Sequence, residues 1–386
     1  MMQPTLSQGT STEQFQGLRA AFDDNLESGE DLGASLVVNI DGENVVDIWG
    51  GYRDVERTQP WTDDTIVNVW STTKTVTYLA ALMLMDAGEI DPYAPVATYW
   101  PEFGANGKAD IDVRHLLAHT SGVSGWDKPV TVEDMYDWDK STSALAAQAP
   151  WWEPGTEAGY HAQNQGHLIG EVIRRVTGRT LKQFVDDEIA GPLGADFQIG
   201  AREEDWGRIS DVIPPPPLEA GSTGLSSDHP MIRTFTGPMA DANAANTADW
   251  RRADMGALNG HGNARSVARM LSAISLGGEV DGVRLLSEKT IDLAFEEQSS
   301  GVDLVLNIPL RRGMGFGLAD PTTMPSVPEG RIGYWGGWGG SVIVMDRDRR
   351  VTIAYMMNKM GPGVVGSVRS DQYLREAYRA LDAVDG

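Results

Sequence analysis

Ser71 and Lys74 stand three positions apart in Trp70-Ser71-Thr72-Thr73-Lys74. If that stretch opens a helix, both side chains lie on one face. Thr65-Ile66-Val67-Asn68-Val69 before it is β-branched, and Val76 to Met85 after it is apolar. The pattern predicts an extended segment, then Ser71 at a helix N-terminus, then a buried helix. Such a terminus offers free N–H groups and a positive dipole end. A serine with an amine beside it, at a pole that stabilises anions, has the parts of an activated nucleophile. The alternative is structural, with Ser71 as an N-cap and Lys74 as a solvated first-turn residue. Two features weigh against it. A first helical turn prefers acidic residues. Lys74 also stands among Val76, Tyr78, Leu79 and Leu82, where a charge is costly unless partnered.

Attack on a carbonyl needs a proton route to the leaving group and donors for the oxyanion. Two further stretches offer them. Gly159-Tyr160-His161-Ala162-Gln163-Asn164-Gln165-Gly166 precedes a helical pattern and is crowded with polar groups. A tyrosine near a neutral lysine can relay protons; otherwise Tyr160 is a core tyrosine at a helix start. His161 is a candidate pocket residue or a plain core or surface histidine. Tyr334-Trp335-Gly336-Gly337-Trp338-Gly339-Gly340-Ser341 has four glycines just before a β-rich run. They let backbone N–H groups approach a ligand closely, with the tryptophans as apolar walls; the alternative is a Gly-rich bulge packed on aromatics. His115 and His119 are four apart, but no glutamate follows His115 and no acidic third ligand is evident. A metal site is therefore not expected.

The elements that would position these groups come from both ends of the chain. Phe15, Leu18, Phe22 and Leu26 recur at helical spacing. Ala34 to Ile40 and Asn44 to Trp49 flank Asp41-Gly42, which predicts a hairpin with a type I′ turn. From about Asp91 the chain becomes loop-rich. Helices are expected at Val113 to Ala118, His167 to Val176, Leu181 to Ile189, Ala264 to Ile274 and Glu288 to Phe295. Pro214 to Pro217 forms a stiff stretch that cannot lie inside a helix. Short strands are expected at Gly315 to Leu318, Arg331 to Trp335, Ser341 to Met345 and Val351 to Met357, with a final helix at about Asp371 to Leu381. The expected architecture is one α/β domain from residues 1–95 and 300–386, with a mostly helical domain, 96–299, inserted. The site would lie in the cleft between them.

Composition sets outer limits. The 386 residues are 41% hydrophobic with a mean hydropathy of -0.28, an ordinary globular profile. No apolar run reaches membrane-spanning length. Met1-Met2-Gln3-Pro4-Thr5 shows neither a basic n-region nor an apolar h-region, so a cytoplasmic location is expected. The absence of cysteine removes disulfides, thiol catalysis and Cys-based metal sites. A net charge of -24 and a pI near 4.5 argue against nucleic acid and anionic membranes as partners. The oligomeric state stays open.

Together the three stretches resemble the serine β-lactamase and penicillin-binding-protein superfamily, and within it the class C-like esterases called family VIII carboxylesterases. Ser71-Thr72-Thr73-Lys74 matches the Ser-x-x-Lys motif. Tyr160-His161-Ala162 sits where the superfamily carries Tyr-x-Asn. Trp335-Gly336-Gly337 sits where β-lactamases carry Lys-Thr-Gly and the esterases often carry Trp-Gly-Gly or His-x-Gly. Leu116-Leu117-Ala118-His119-Thr120-Ser121-Gly122 looks like a structural signature of the group. The match runs from about Leu32 to Asn358.

The resemblance implies an antiparallel sheet flanked by helices and hydrolysis of short-chain carboxylic esters through an acyl-enzyme. Ser71 would attack, Lys74 would take its proton, and Tyr160 would pass it to the leaving alkoxide. The N–H groups of Ser71 and Trp338 would form the oxyanion hole. Trp335, Gly336, Gly337 and His161 would face the substrate, and no cofactor is implied. Two departures matter: Ala162 replaces an asparagine that contacts β-lactam side chains, and Trp335 replaces a lysine whose charge binds carboxylates. Both favour a neutral ester over a β-lactam or a D-alanyl-D-alanine peptide. A β-lactamase, a D-amino-acid peptidase or an acyltransferase of the same fold remains the alternative, as does a non-catalytic acyl-binding or sensor protein. No Gly-x-Ser-x-Gly elbow is present, which counts against an ordinary α/β-hydrolase.

Overall fold

The computed structural model describes residues 6–127, 129–216, 224–239 and 241–383. Its frame is a nine-stranded antiparallel sheet. Across the sheet the strands run Gln8–Ser11, Glu43–Gly51, Gly33–Ile40, Val351–Met357, Val342–Asp346, Ile332–Gly336, Gly317–Leu318, Pro309–Arg312 and Ser299–Val302. Both ends of the chain therefore meet at the Gly33–Ile40 and Val351–Met357 pair, in register from Ala34↔Met357 to Ile40↔Val351. The Asp41-Gly42 hairpin forms as expected, with both residues at positive φ (52° and 92°), the condition of a type I′ turn.

Helices cover both faces of the sheet. Thr352 and Tyr355 differ by an odd number of positions, so their side chains point to opposite faces. Thr352 shares a 2.8 Å hydroxyl contact with Ser275, the last residue of helix Ala264–Ser275. Tyr355 meets Tyr373 of the last helix, Val368–Asp382, at 4.9 Å. A buried carboxylate fixes that second layer: Asp31 accepts from Tyr355 (2.5 Å), Tyr373 (2.6 Å) and Arg369 (2.6 Å). Helix Gln16–Ser28 packs beside the last helix, with Phe22 on Tyr373, and ends at Gly29 with φ 78°. Burial on both faces explains why Val351–Met357 is apolar at every position but Thr352.

The stretch expected as a helical insertion does not stay apart from this frame. Its helix Ala264–Ser275 lies directly on the sheet, and the backbone N–H of Ala264 donates to Ser35 at 3.0 Å. Strands Pro309–Arg312 and, at the edge, Ser299–Val302 extend the sheet beyond the expected strands. Helix Gln165–Thr177 ends at Gly178 with φ 72°. The expected helix at Leu181 to Ile189 is one α-turn, Leu181–Val185, continued as a π-turn over Asp186–Ala190. Pro214 to Pro216 are non-helical, and Pro217 lies outside the described residues. No helix of the described residues is long and apolar enough to cross a membrane.

The helix Thr73–Asp86 is buried over most of its length. Its polar residues have a common use. Thr73 Oγ1 accepts from the Gly260 N–H (2.8 Å), Lys74 donates to the Ala257 carbonyl (3.0 Å), and Thr77 donates to the Gly256 carbonyl (2.6 Å). A buried helix thus holds the 256–260 segment by side chains spaced along one face. Helix Gln165–Thr177 closes on the same segment through Gly166, where a Cβ would lie 2.4 Å from Ala257 N. Gly166→Ala should therefore cost about 1–3 kcal/mol through overpacking, read as a lower urea midpoint at unchanged m-value. An unchanged midpoint would show that the 256–257 segment yields freely.

Candidate active site

Ser71 does not begin the α-helix. It sits in a single 3₁₀ turn, Trp70–Thr72, that feeds the helix starting at Thr73. Trp70 holds φ at 50°, a costly conformation for a bulky residue and one that occurs at functional turns. Its ring is clamped edge-on by Trp250 (5.4 Å) and Trp338 (5.1 Å). The turn is also tied to the glycine-rich stretch: Ser341 donates to the Val69 carbonyl at 2.9 Å, and Thr72 and Ser341 share a 3.0 Å hydroxyl contact.

Lys74 is fully buried. Its Nζ lies 3.0 Å from Ser71 Oγ and donates to the carbonyls of Ala162 (2.8 Å) and Ala257 (3.0 Å). Tyr160 packs its ring 4.8 Å from the same nitrogen. Burial holds the amine well below its ordinary value of 10.5. A neutral amine has two hydrogens and one lone pair. In that neutral form, with two carbonyls taking the hydrogens, the lone pair would face the Ser71 hydroxyl.

Tyr160 is fully buried, and burial pushes its phenol up to about 12, against the lowering influence of the Ser71 hydroxyl and the Trp335 N–H. It is therefore a protonated phenol at neutral pH. Its oxygen accepts from Trp335 Nε1 at 3.2 Å, and its backbone N–H donates to Asp303 at 3.1 Å. Behind it runs a chain of neutral groups. The His161 N–H donates to His119 Nδ1 (2.9 Å), so His119 carries its proton on Nε2, 3.3 Å from Tyr78 Oη. Tyr78 donates to Gln165 (2.6 Å), which donates to the Leu116 and Leu117 carbonyls.

The glycine-rich turn behaves as its composition suggests. A Cβ at Gly337 would lie 2.3 Å from Ser341 Oγ and 2.5 Å from the Val69 carbonyl. One at Gly336 would lie 2.8 Å from Gly366 N. The backbone N–H groups of Ser71 and Trp338 have no acceptor among the described residues, which leaves both available to an oxyanion.

Two candidate residues are placed differently from their expected role. Trp335 is fully buried rather than a wall of open space. It lies among Tyr160, His119 and Arg312, and its N–H is used on Tyr160. His161 is also fully buried, with Nδ1 on the Gly159 carbonyl (2.7 Å) and Nε2 on Ser121 (2.6 Å), so neither ring nitrogen is free for a substrate. Partly buried Phe235, Leu306, Ile308, Val364 and Val365 pack on the cluster of Tyr160 and Trp335. Sequence inspection missed these residues, the Ala162 and Ala257 carbonyls, and the Asp303–Arg312 pair. Any residue supplies a carbonyl, so the first two had no signal. Among the described residues no group of three or more His, Asp or Glu side chains is placed to hold a metal ion.

Gly337→Ala should leave the fold intact while pushing the 337–338 turn off Ser341 and Val69. We expect labelling of Ser71 by an organophosphonate to slow by about a hundredfold, the scale of losing one oxyanion donor. Labelling at the wild-type rate would detach this turn from the nucleophile.

The family model described as Beta-lactamase matches residues 18–377. Esterase/beta-lactamase LipL of Mycobacterium tuberculosis is 34% identical over 339 residues, covering 85% of this chain and 77% of the relative. The crystal structure of a family VIII carboxylesterase superposes with a TM-score of 0.91 at 37% identity, covering 97% of this chain and 99% of that one. A penicillin-binding protein homolog from Caulobacter crescentus gives 0.90 at 34% identity, with the same coverage. A single family model spanning nearly the whole chain, on a fold with a serine, lysine and tyrosine converging at one turn, leaves one assignment: the chain belongs to the Beta-lactamase family.

Proposed function

We propose that the protein is a serine carboxylesterase that cleaves short-chain neutral esters through a Ser71 acyl-enzyme. The observation that carries this reading is the Lys74 amine, buried without a carboxylate partner and in contact with Ser71 Oγ. Lys74 takes the serine proton as Ser71 attacks. The N–H groups of Ser71 and Trp338 meet the oxyanion. Tyr160 donates a proton to the departing alkoxide and, in the second half-reaction, helps activate water. An alcohol in place of that water would give acyl transfer, since the first half-reaction is shared. No residue in this scheme requires a cofactor.

The pH dependence follows from two burial effects. The base is the neutral amine, so the rate should fall as the pH drops through the depressed Lys74 value. The acid is the protonated phenol, so no alkaline limb is expected from Tyr160 until about pH 12. Lys74→Arg, which stays charged, should lose about 10²–10⁴-fold at every pH. Ser71→Ala should abolish turnover while remaining folded. Profiles of kcat/KM for a short ester check this; an acid limb of unchanged midpoint in the residual activity of Lys74→Ala would belong to another group.

The second reading, a β-lactamase or D-amino-acid peptidase, lacks a cation for the substrate carboxylate. Trp335 offers none, and Arg312 over its ring is fully buried and paired with Asp303 at 2.6 Å. A lost charge-assisted hydrogen bond is worth about 1.5–3 kcal/mol, or roughly tenfold to a hundredfold. A nitrophenyl butyrate should therefore exceed a chromogenic cephalosporin in kcat/KM by at least that factor. Preference for the cephalosporin would overturn the esterase reading.

A further inference from the structure

Asp303 follows the edge strand Ser299–Val302 and opens the turn into Pro309–Arg312. Its side chain is fully buried. One oxygen, Oδ1, accepts three backbone N–H groups: Val305 (2.8 Å), Leu306 (2.8 Å) and Tyr160 (3.1 Å). The other, Oδ2, pairs with Arg312 at 2.6 Å. The first two bonds are local and belong to the turn. The third is not, since Tyr160 is 143 residues away. A turn-forming aspartate has no local need of it. The neighbouring bond from Leu304 N–H to the Ala158 carbonyl, 2.9 Å, runs to the same segment. The turn and the tyrosine are thus built around one carboxylate.

We infer that Asp303 is the positioning residue of the leaving-group side of the site: its carboxylate sets the backbone of Tyr160 and folds the turn whose Leu306 and Ile308 wall that side. This rests on the reading of Tyr160 as the group that protonates the departing alkoxide. The bond between acyl carbon and ester oxygen breaks, that oxygen takes the pair, and the Tyr160 proton moves onto it. A proton donor displaced from its line costs most when the departing oxygen is strongly basic. An alkyl alkoxide needs that proton. A nitrophenolate departs without it. The residue therefore sets how the enzyme handles alkyl esters in particular.

The test uses pairs of variants. Asp303→Asn with Arg312→Leu removes both charges but keeps an acceptor oxygen for the three N–H groups. Asp303→Ala with Arg312→Leu removes the charges and the acceptor together. Asp303→Glu keeps the charge pair and displaces the acceptor by one methylene, so it remains informative if the alanine pair does not fold. Acylation rates are measured for an ethyl ester and a nitrophenyl ester of the same acid. The Asn pair should keep the wild-type ratio of the two rates. The Ala pair and Asp303→Glu should lose about tenfold to a hundredfold more on the ethyl ester, the scale of a misplaced reacting group. In a Tyr160→Phe background the same changes should leave the ratio unmoved. Equal losses on both esters, or a ratio shift that persists in Tyr160→Phe, would make Asp303 a structural residue only. Absence of Ser71-dependent nitrophenolate release from the wild-type protein would instead sink the serine-esterase reading itself.

Discussion

The rest of the structure depends on one lysine amine buried away from solvent, Lys74. Among the described residues Lys74 has no carboxylate partner, and a charge there would be expensive. The fold resolves this with backbone dipoles: the carbonyls of Ala162 and Ala257 take two hydrogens, and Ser71 faces the remaining position. That arrangement obliges three distant segments to meet. The 160–163 segment supplies one carbonyl, the 256–260 segment the other, and the buried helix Thr73–Asp86 lies between them. Thr73 and Thr77 secure the second segment above and below the lysine. Polar residues that look anomalous in a buried helix are the ones that fix the geometry of its amine.

Tyr160 is held by a different logic. Its backbone is set by Asp303 and its oxygen by the Trp335 N–H. His119 packs 5.0 Å from its ring, and its two nitrogens are committed to the His161 N–H and Tyr78. Preorganisation of this kind means that the phenol need not search for its position during reaction. It also explains His119 itself. The residue sits at φ 62° after a short helix, a left-handed position, in the stretch Leu116 to Gly122 that resembles a structural signature. The strained turn aims a ring at the tyrosine rather than a ligand at the solvent.

Much of this was legible in the chain. Ser71 and Lys74 showed as residues at odds with their surroundings, and the Asp41-Gly42 hairpin and the helix Glu288–Phe295 showed through local pattern. Three things did not show. Carbonyl ligands such as Ala257 have no side-chain signature. Edge strands such as Ser299–Val302 are short, polar and partly glycine, because they pair on one side only and pack little. The full burial of Trp335 has no signal in the sequence, since glycines beside an aromatic suggest open space. Here they bring the 363–366 loop close, with Gly339 N–H on the Gly363 carbonyl at 2.8 Å, and the indole is enclosed.

The electrical character of the site then bears on what it accepts. Burial pushes Lys74 toward its neutral form, raises the Tyr160 phenol to about 12, and holds His161 down at about 4. Burial likewise keeps His119 neutral. Asp303 and Arg312 cancel each other. Lys74 apart, these groups around Ser71 are neutral in sum near pH 7, although the whole chain carries -24. A charged substrate would have to give up its hydration with no ion to replace it. A neutral ester would meet no such penalty, and Phe235, Leu306 and Val365 pack as partly buried apolar groups on the Tyr160 and Trp335 cluster. In the proposed reaction an oxyanion would form at the carbonyl oxygen, and the Ser71 and Trp338 N–H groups have no acceptor among the described residues. Dipoles fixed before the reaction act on that developing charge and little on the neutral ground state, which is the condition for lowering a barrier rather than tightening binding.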